Sequence, residues 1–400
     1  MNRVTRFMRI AAVVLICAVG AQAGVTIETV LVGNAGNAAD TRYETPGYGG
    51  VQYVYRIGKF EITAGQYTEF LNAVAKADTY GLYNTAMADP SSSSWGCNIQ
   101  RSGSPGSYEY IVGAEWANRP ANYISWGDAA RFCNWLHNRQ PTGAQDPSTT
   151  EDGSYLLNGA TSDAALLAIV RKADPTYVIP SEDEWYKAAY HKNDGTTDDY
   201  WDCPTRSDTA PTPEAPPGTD LTNGSANYCI SFGVPVDPIH GRTDVGAYDA
   251  KPSDSAYQTF DQGGNVFEWN EAVTGSDRGV RGGSFAQNHA YYLCAPTRFH
   301  WEPTREDDTT GFRVAIFADC NANDIPDECD LNCGATIGMT GGSCSVVYPG
   351  CGTSTDENGD GVLDDCAPDI PTVSEWGVVA MAALMLAAGA VVVSRRRAVG

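Results

Sequence analysis

Several carboxylate and amide side chains near the C-terminus are spaced as in a calcium-binding loop. The residues at positions 1, 3, 5, 6 and 9 of an EF-type loop are Asp356, Asn358, Asp360, Gly361 and Asp364. Ca²⁺ binds several oxygens at once, and such side chains supply them together with main-chain carbonyls. Position 12, where an EF-type loop has a bidentate carboxylate, is Ala367. The segment therefore predicts either a calcium loop or a flexible acidic linker.

An upstream stretch repeats this rhythm, with Asp324 in place of the glycine. Its oxygen-bearing residues are Asp319, Asn321, Asn323, Asp327 and Asp330. With their interleaved cysteines, the two stretches resemble, incompletely, thrombospondin type 3 or dockerin-like repeats. We therefore treat residues 318–369 as a separate Cys/Asp-rich tail.

A thiol and two imidazoles in the middle of the chain are the candidates for redox or transition-metal chemistry. Cys294 is flanked by His289 and His300, and Ser284 lies ten residues upstream. The five histidines include no His-x-x-x-His pair. The alternative is that they are ordinary hydrogen-bonded or surface histidines.

The cysteine count indicates an oxidising compartment. Six of the twelve cysteines, enough for three disulfides, lie in the tail: Cys320, Cys329, Cys333, Cys344, Cys351 and Cys366. Cys17 lies in the predicted N-terminal leader, and the remaining five lie between it and the tail: Cys97, Cys133, Cys203, Cys229 and Cys294. An odd number leaves at least one free thiol there, and Cys133 and Cys294 are the candidates. Cys133 is expected to face the core as a small apolar residue.

The N-terminus and the overall charge indicate export. Residues 1–23 combine Arg3, Arg6 and Arg9 with an apolar run and end in Ala21-Gln-Ala23, as a secretory signal does. The formal net charge of the chain is −23. Such acidity repels phosphate backbones, so we expect no nucleic-acid partner.

Three predicted helices and several short strands position the central residues. Capping boxes at Thr63, Ser125 and Ser181 each precede an apolar stripe at helical spacing. Strands are predicted over 25–32, 51–60 and 177–179. Glycine turns in 262–285 favour short strands with tight bends. Residues 78–121 and 194–224 are predicted to be long surface loops.

Six segments in fixed order carry a family resemblance. They begin at Phe60-Glu-Ile-Thr, Tyr123-Ile-Ser-Trp, Ile179-Pro-Ser-Glu, Gln262-Gly-Gly-Asn, Arg281-Gly-Gly-Ser and Thr310-Gly-Phe-Arg. In this order they resemble the formylglycine-generating-enzyme, or sulfatase-modifying-factor, domain family, so residues 24–317 are expected to form one domain. The resemblance implies an α+β, C-type-lectin-like fold with little regular secondary structure.

The resemblance also implies a copper site, which the sequence alters. Catalytic members of the family bind copper through two cysteines beyond the Arg-Gly-Gly-Ser turn. Here Gln287 stands at the first position, and the second falls at about Tyr292. Phe267 replaces the usual tryptophan, and Cys294 matches a structural cysteine of the family better. Because soft Cu(I) needs thiolates, we expect no copper chemistry.

Two calcium sites are implied by the same resemblance. One would use the side chains of Asp261 and Glu268 with the carbonyls of Gly264 and Val266. The other would use the side chains of Asn227 and Asp237 with the carbonyls of Tyr228 and Ile239. The alternative for Glu268 is a salt bridge or a loop hydrogen bond.

The C-terminus, residues 370–400, resembles an exosortase sorting signal of the IPTL-CTERM class. Ile370-Pro-Thr-Val-Ser-Glu-Trp-Gly377 precedes an apolar run over 378–393 and then Arg395-Arg-Arg397. A plain transmembrane anchor is the alternative. We expect the protein to be exported, anchored in the membrane before processing, and handled there by sorting machinery.

These observations predict a surface-sorted protein whose main domain is a binding or structural module for an extracellular protein or glycan. The competing hypothesis is a formylglycine-generating oxidase or related metal-dependent oxidoreductase that uses Cys294 with His289 or His300.

Overall fold

A computed structural model describes residues 24–172, 175–196, 199–231 and 233–317, and the paired segments 336–337 and 342–343. The helices are α1 (Ala64–Val74), α2 (Trp126–His137), α3 (Asp163–Leu167) and α4 (Glu182–Tyr190). The predicted leader, the calcium-loop residues of the tail and the C-terminal apolar segment lie outside these residues.

Most strands are short, so the fold is a mixture of few helices and many small strands. In chain order they are β1 (Thr29–Val32), β2 (Tyr55–Gly58), β3 (Ile99–Ser102), β4 (Glu109–Val112), β5 (Tyr177–Val178), β6 (Thr212–Pro213), β7 (Ser225–Ala226), β8 (Phe267–Thr274), β9 (Asp277–Arg281), β10 (Phe299–Trp301), β11 (Thr310–Gly311), β12 (Ala315–Ile316), β13 (Thr336–Ile337) and β14 (Gly342–Ser343). Within the described ranges, no helix is both long and apolar enough to cross a membrane.

Two four-stranded sheets organise the domain, and one short segment belongs to both. The first has the order β1-β2-β12-β5 and the second the order β10-β9-β8-β11. β11 runs parallel to β8, and β12 lies antiparallel between β2 and β5. The segment from Thr310 to Ile316, which contains β11 and β12, therefore links the two sheets.

The three predicted capping boxes are confirmed. Thr63 with Gln66, Ser125 with Asp128, and Ser181 with Glu184 each form both reciprocal hydrogen bonds. Each box fixes where a helix begins, because it satisfies backbone N–H groups that have no partner within the helix. The apolar stripes that follow are buried, and Cys133 is 0% exposed as predicted.

Two strand predictions were incomplete. Residues 78–121 contain the hairpin β3–β4, whose connection includes Gly103 and Gly106 at φ of +86° and +94°. The glycines permit this turn. The strands were not predicted because the segment around them is rich in polar residues. β8 is also longer than expected at eight residues, since a register shift between Trp269 and Val273 lets it bend without ending.

Lys187 is a buried cation in the last turn of α4. Its side chain is 0% exposed, and Nζ donates one hydrogen bond, of 3.0 Å, to the carbonyl of Asn34. Burial lowers the pKa of this amine to about 7. The folded chain therefore carries an amine that water would keep charged and that the interior disfavours.

Lys187→Met is expected to raise the melting temperature, and more so at pH 6 than at pH 9.5. Below pH 7 the amine is charged in the folded and unfolded states, so its burial costs stability. That cost fades as pH rises from about 7 toward the unfolded pKa. The expected gain is about 1–3 kcal/mol at pH 6, since methionine also loses the bond to Asn34.

Thermal melts at the two pH values provide the measurement. Lys192→Met is the matched control, because Lys192 forms a more exposed ion pair with Asp199 at 2.7 Å. An equal change at both pH values for Lys187→Met would show that burial does not perturb this amine.

Candidate functional site

The Arg281–Phe285 turn follows β9 and is enclosed by the short 3₁₀ helix Ala290–Leu293. Gly283 has a φ of +72°, and a Cβ there would lie 2.9 Å from a side-chain atom of Leu293. Glycine is needed because the helix packs directly on the turn. Ser284 is consequently 0% exposed, and its Oγ accepts a 3.3 Å hydrogen bond from the N–H of Ala286. The hydroxyl of this catalytic candidate thus stabilises the turn.

A thiol that the sequence analysis assigned no role lies against the same turn. The carbonyl of Gln287 accepts a 2.8 Å hydrogen bond from the backbone N–H of Cys229. The Sγ of Cys229 donates to the carbonyl of Phe285 at 3.3 Å. Burial raises the pKa of this thiol. Tyr292, at the second implied copper-ligand position, stacks on Phe299 with ring centroids 5.7 Å apart.

Cys294 is bonded to Cys203 across 91 residues of sequence. This corrects the expectation that Cys294 could be the free thiol of the domain, because its sulfur is bonded to that of Cys203. In the described part of the chain the free cysteines are Cys97, Cys133 and Cys229, and all three are buried. Export to an oxidising compartment favours such a bond.

The two flanking histidines make local contacts. The Nδ1 of His289 accepts a 3.0 Å hydrogen bond from the N–H of Tyr291 and caps the 3₁₀ helix. The Nδ1 of His300 lies 2.5 Å from Oδ2 of Asp277 on the neighbouring strand β9. Across residues 24–317, apart from the five omitted positions, no three His, Cys, Asp or Glu side chains form a group that could hold a metal ion.

Glu268 and Arg313 form a buried ion pair between β8 and the segment that joins the sheets. Arg313 Nε and Nη2 donate to the two carboxylate oxygens at 2.6 and 2.7 Å, and both side chains are 0% exposed. Trp185 Nε1 donates to Glu268 Oε2 at 2.7 Å. Glu268 therefore forms the salt bridge that was the alternative to calcium binding. Both of its carboxylate oxygens accept hydrogen bonds from Arg313 or Trp185.

Two more buried carboxylates lie near this pair. Glu61 is 1% exposed, and neither of its carboxylate oxygens has a hydrogen-bond partner among the described residues. Burial and the neighbouring Asp261 raise the pKa of Glu61 well above its usual value. Burial also raises the pKa of Asp261 to about 6, although the N–H of Gly246 donates to it at 2.6 Å. One guanidinium thus faces three carboxylates.

Outside the pair with Arg313, the acids here are Glu61 and Asp261, so a cation at this place would need main-chain carbonyls to complete its ligands. Glu61 was missed by the sequence analysis. The available signal was a carboxylate between Phe60 and Ile62, directly before the first capping box.

The second implied calcium set is partly engaged. Asp237 accepts 3.0 Å bonds from the N–H groups of Ile239 and His240, and its Oδ2 lies 2.8 Å from His240 Nδ1. Asn227 donates through Nδ2 to the carbonyl of Gly241, whereas its Oδ1 has no partner in the described part of the chain. Tyr228 is buried and Ile239 is exposed. In the described part of the chain, Asn227 Oδ1 is therefore an acceptor without a partner, whereas the carboxylate of Asp237 stabilises its own turn.

Three clefts lie along helix α1, and they share Glu69 as a lining residue. Their volumes are about 540, 870 and 450 Å³. None of the three is lined by Ser284, His289, Cys294 or His300. The candidate catalytic residues therefore do not open into these clefts.

Solved structures of other proteins share low sequence identity with this chain. A crystal structure of CarF is 18% identical and covers 74% of this chain and 99% of its own, with a TM-score of 0.45. Treponema denticola variable protein 1 is 19% identical, with coverages of 72% and 94% and a TM-score of 0.39. PvdO from Pseudomonas aeruginosa is 16% identical, with coverages of 74% and 99% and a TM-score of 0.41. A comparison with curated proteins gives no significant match.

Family models match two separate parts of the sequence. The IPTL-CTERM motif matches residues 370–398. The sulfatase-modifying factor enzyme 1-like domain, called FGE-sulfatase, matches residues 22–318, and this range contains all six segments on which the resemblance was based. The chain therefore belongs to the FGE-sulfatase family.

Proposed function

We propose that this protein is exported and sorted to the cell surface, where its FGE-sulfatase domain acts as a binding or structural module without the oxidase activity. The observation that carries this proposal is the disulfide between Cys203 and Cys294. With Gln287 and Tyr292 at the two implied ligand positions, the region offers no pair of free thiols to Cu(I). The partner would be an extracellular protein or a glycan held on a C-type-lectin-like scaffold.

The second candidate function is a formylglycine-generating oxidase or a related metal-dependent oxidoreductase. One observation favours it, namely the thiol of Cys229 against the Phe285–Gln287 turn. A second thiolate would have to come from reduction of the bond to Cys294. Burial also raises the pKa of Cys229, which disfavours the thiolate that a metal requires.

The purified protein is expected not to convert a sulfatase-type cysteine peptide to its aldehyde, even with copper supplied. The reason is coordination chemistry, because an amide and a phenol do not replace thiolates toward Cu(I). Mass spectrometry of the peptide provides the measurement. Copper-dependent aldehyde that disappears in Cys229→Ser or Cys294→Ser, but not in the buried control Cys133→Ser, would establish the oxidase instead.

The sorting motif supports processing at the membrane. It places Pro371 and Trp376-Gly377 before an apolar segment and a basic cluster, and hydropathy alone does not require those residues. We therefore propose that sorting machinery recognises this segment and removes it.

Mature protein from the native host is expected to lack residues from about 378 onward. Peptide mapping by mass spectrometry tests this, and Trp376→Ala is expected to retain the C-terminus. Recovery of the Arg395-Arg-Arg397 end on most wild-type molecules would indicate a permanent anchor.

The charge imbalance around Glu61 supports a structural calcium ion. Asp261 and Glu61 would be its carboxylate ligands, with the carbonyls of Gly264 and Val266 as the resemblance implies. Glu268 would join them only if it gave up part of its pairing with Arg313 or Trp185. Such an ion would stabilise the folded domain by mass action, by about 3 kcal/mol at a hundredfold excess over its dissociation constant.

Chelation is expected to lower the melting temperature of wild type, and Glu61→Gln is expected to remove most of that calcium response. Without calcium, Glu61→Gln is expected to melt at or above wild type at pH 7.5, because it removes an unpartnered buried carboxylate. The raised pKa of Asp261 predicts that calcium-free wild type loses stability as pH rises through about 6.

Melting curves with calcium or chelator, together with calorimetry, test these expectations. Glu271→Gln is the matched control, since Glu271 is a carboxylate that pairs with Arg171 and Tyr155. A melting point unaffected by chelator, with no calcium binding by calorimetry, would leave Glu61 and Asp261 as strained acids without a metal role.

A further inference from the structure

The loop from residue 302 to residue 309 joins β10 to β11 and lies across the N-terminus of α2. The carbonyl of Pro303 accepts a 3.0 Å hydrogen bond from the N–H of Trp126, the first residue of that helix. The carbonyl of Asp307 accepts a 2.9 Å hydrogen bond from the N–H of Tyr123. The first N–H groups of a helix have no acceptor within it, so the loop supplies one of the acceptors that α2 needs.

Glu306 connects the same loop to a further element. It is half-buried, and its Oε2 accepts a hydrogen bond from Nδ2 of Asn84, the residue that caps the 3₁₀ helix Thr85–Ala88. Elsewhere in the loop, Thr304 Oγ1 donates to Asp163 of α3 at 2.6 Å. The loop is thus held by hydrogen bonds to three helices, and the partner of Glu306 is a neutral amide.

In the described part of the chain, no cation pairs with Glu306. The neighbouring arginines each donate to another acid at 2.6–3.2 Å: Arg305 to Asp307, Arg131 to Glu151, and Arg101 to Asp78. The titratable or charged side chains that face Glu306 from the elements packed against it are Tyr67, Asp78, Arg101, Asp128 and Arg131. The charges not already paired in this set are therefore negative.

These surroundings favour a protonated Glu306. Burial and the carboxylate of Asp128, and more weakly that of Asp78, raise the pKa of Glu306 to about 8, although the bond from Asn84 lowers it. Burial also raises the pKa of Asp128 to about 6. At pH 7 the closed loop therefore keeps a proton that an unperturbed glutamate, with a pKa of 4.5, would release.

We propose that the 302–309 loop is a proton-dependent latch on the N-terminus of α2, closed while Glu306 is protonated and released when Glu306 ionises. A neutral carboxyl accepts the N–H of Asn84 without repelling Asp128. Once the proton leaves, two carboxylates face each other in a partly buried place, and water can replace the two main-chain bonds to α2. The latch uses none of the residues of the proposed calcium site, so it does not depend on that proposal.

Hydrogen exchange measured by mass spectrometry on the purified protein between pH 6 and 8 tests the latch, with rates corrected for the intrinsic pH dependence of exchange. Closing takes up one proton, so the opening equilibrium of peptides covering 302–309 is expected to rise about tenfold per pH unit near pH 7. The amides of Tyr123 and Trp126 are expected to follow, whereas those of α1 are not. An equal loss of protection in α1 would show global unfolding and overturn the latch.

Glu306→Gln is expected to keep the bond from Asn84 and to make the protection of the loop independent of pH over this range. Asp128→Asn retains a side chain that caps α2, and it is expected to end the rise in opening at a lower pH because it removes a charge that faces Glu306. Glu302→Gln changes an exposed acid of the same loop and is the matched control, expected to behave as wild type. Wild-type protection that does not change with pH, or an equal pH dependence in Glu306→Gln, overturns the proposal.

Discussion

The bidentate pair between Arg313 and Glu268 is the interaction on which the domain depends. Arg313 lies between β11 and β12, which belong to different sheets, and Glu268 lies on the central strand β8. The same guanidinium also donates to the carbonyls of Gly58 and Phe260, at 2.9 and 2.8 Å. Breaking such a buried pair typically costs about 3–5 kcal/mol, because the remaining charge stays in the interior.

The pair between Arg313 and Glu268 lies beside two further buried acids, Glu61 and Asp261. The backbone that brings Arg313 to Glu268 also buries Glu61 and Asp261 nearby. Burial raises the pKa of both acids, Asp261 raises that of Glu61 further, and of the two paired residues Glu268 raises both pKa values whereas Arg313 lowers them. A fold held by one cation among three carboxylates is stable only if protons or a metal ion offset the excess charge. The proposed calcium ion would therefore offset the negative charge that Arg313 alone does not neutralise.

The sequence predicted elements whose causes are local. Capping boxes at Thr63, Ser125 and Ser181 depend on residues three positions apart, so they can be recognised without the fold. The pairing of Cys203 with Cys294 spans 91 residues, and no local pattern specifies it. The sequence also could not reveal that the carboxylate of Glu61 has no hydrogen-bond partner among the described residues, because that depends on three-dimensional packing. The hairpin β3–β4 was not predicted for a different reason, because its strands lie in a Ser- and Gly-rich segment that favours loops.

The residues that build this fold are separate from Gln287 and Tyr292, the two positions at which the resemblance implies copper ligands. Backbone or charge requirements of this folded chain are satisfied by the glycine turn at Gly282-Gly283, the buried pair of Arg313 and Glu268, and the three capping boxes. A thiolate pair meets no such requirement, so a glutamine can replace one of its members without disturbing the turn. The carbonyl of Gln287 still accepts the N–H of Cys229 at 2.8 Å, because that bond uses only main-chain atoms. The turn that holds Gln287 is therefore fixed by main-chain bonds and does not depend on which side chain stands at that position.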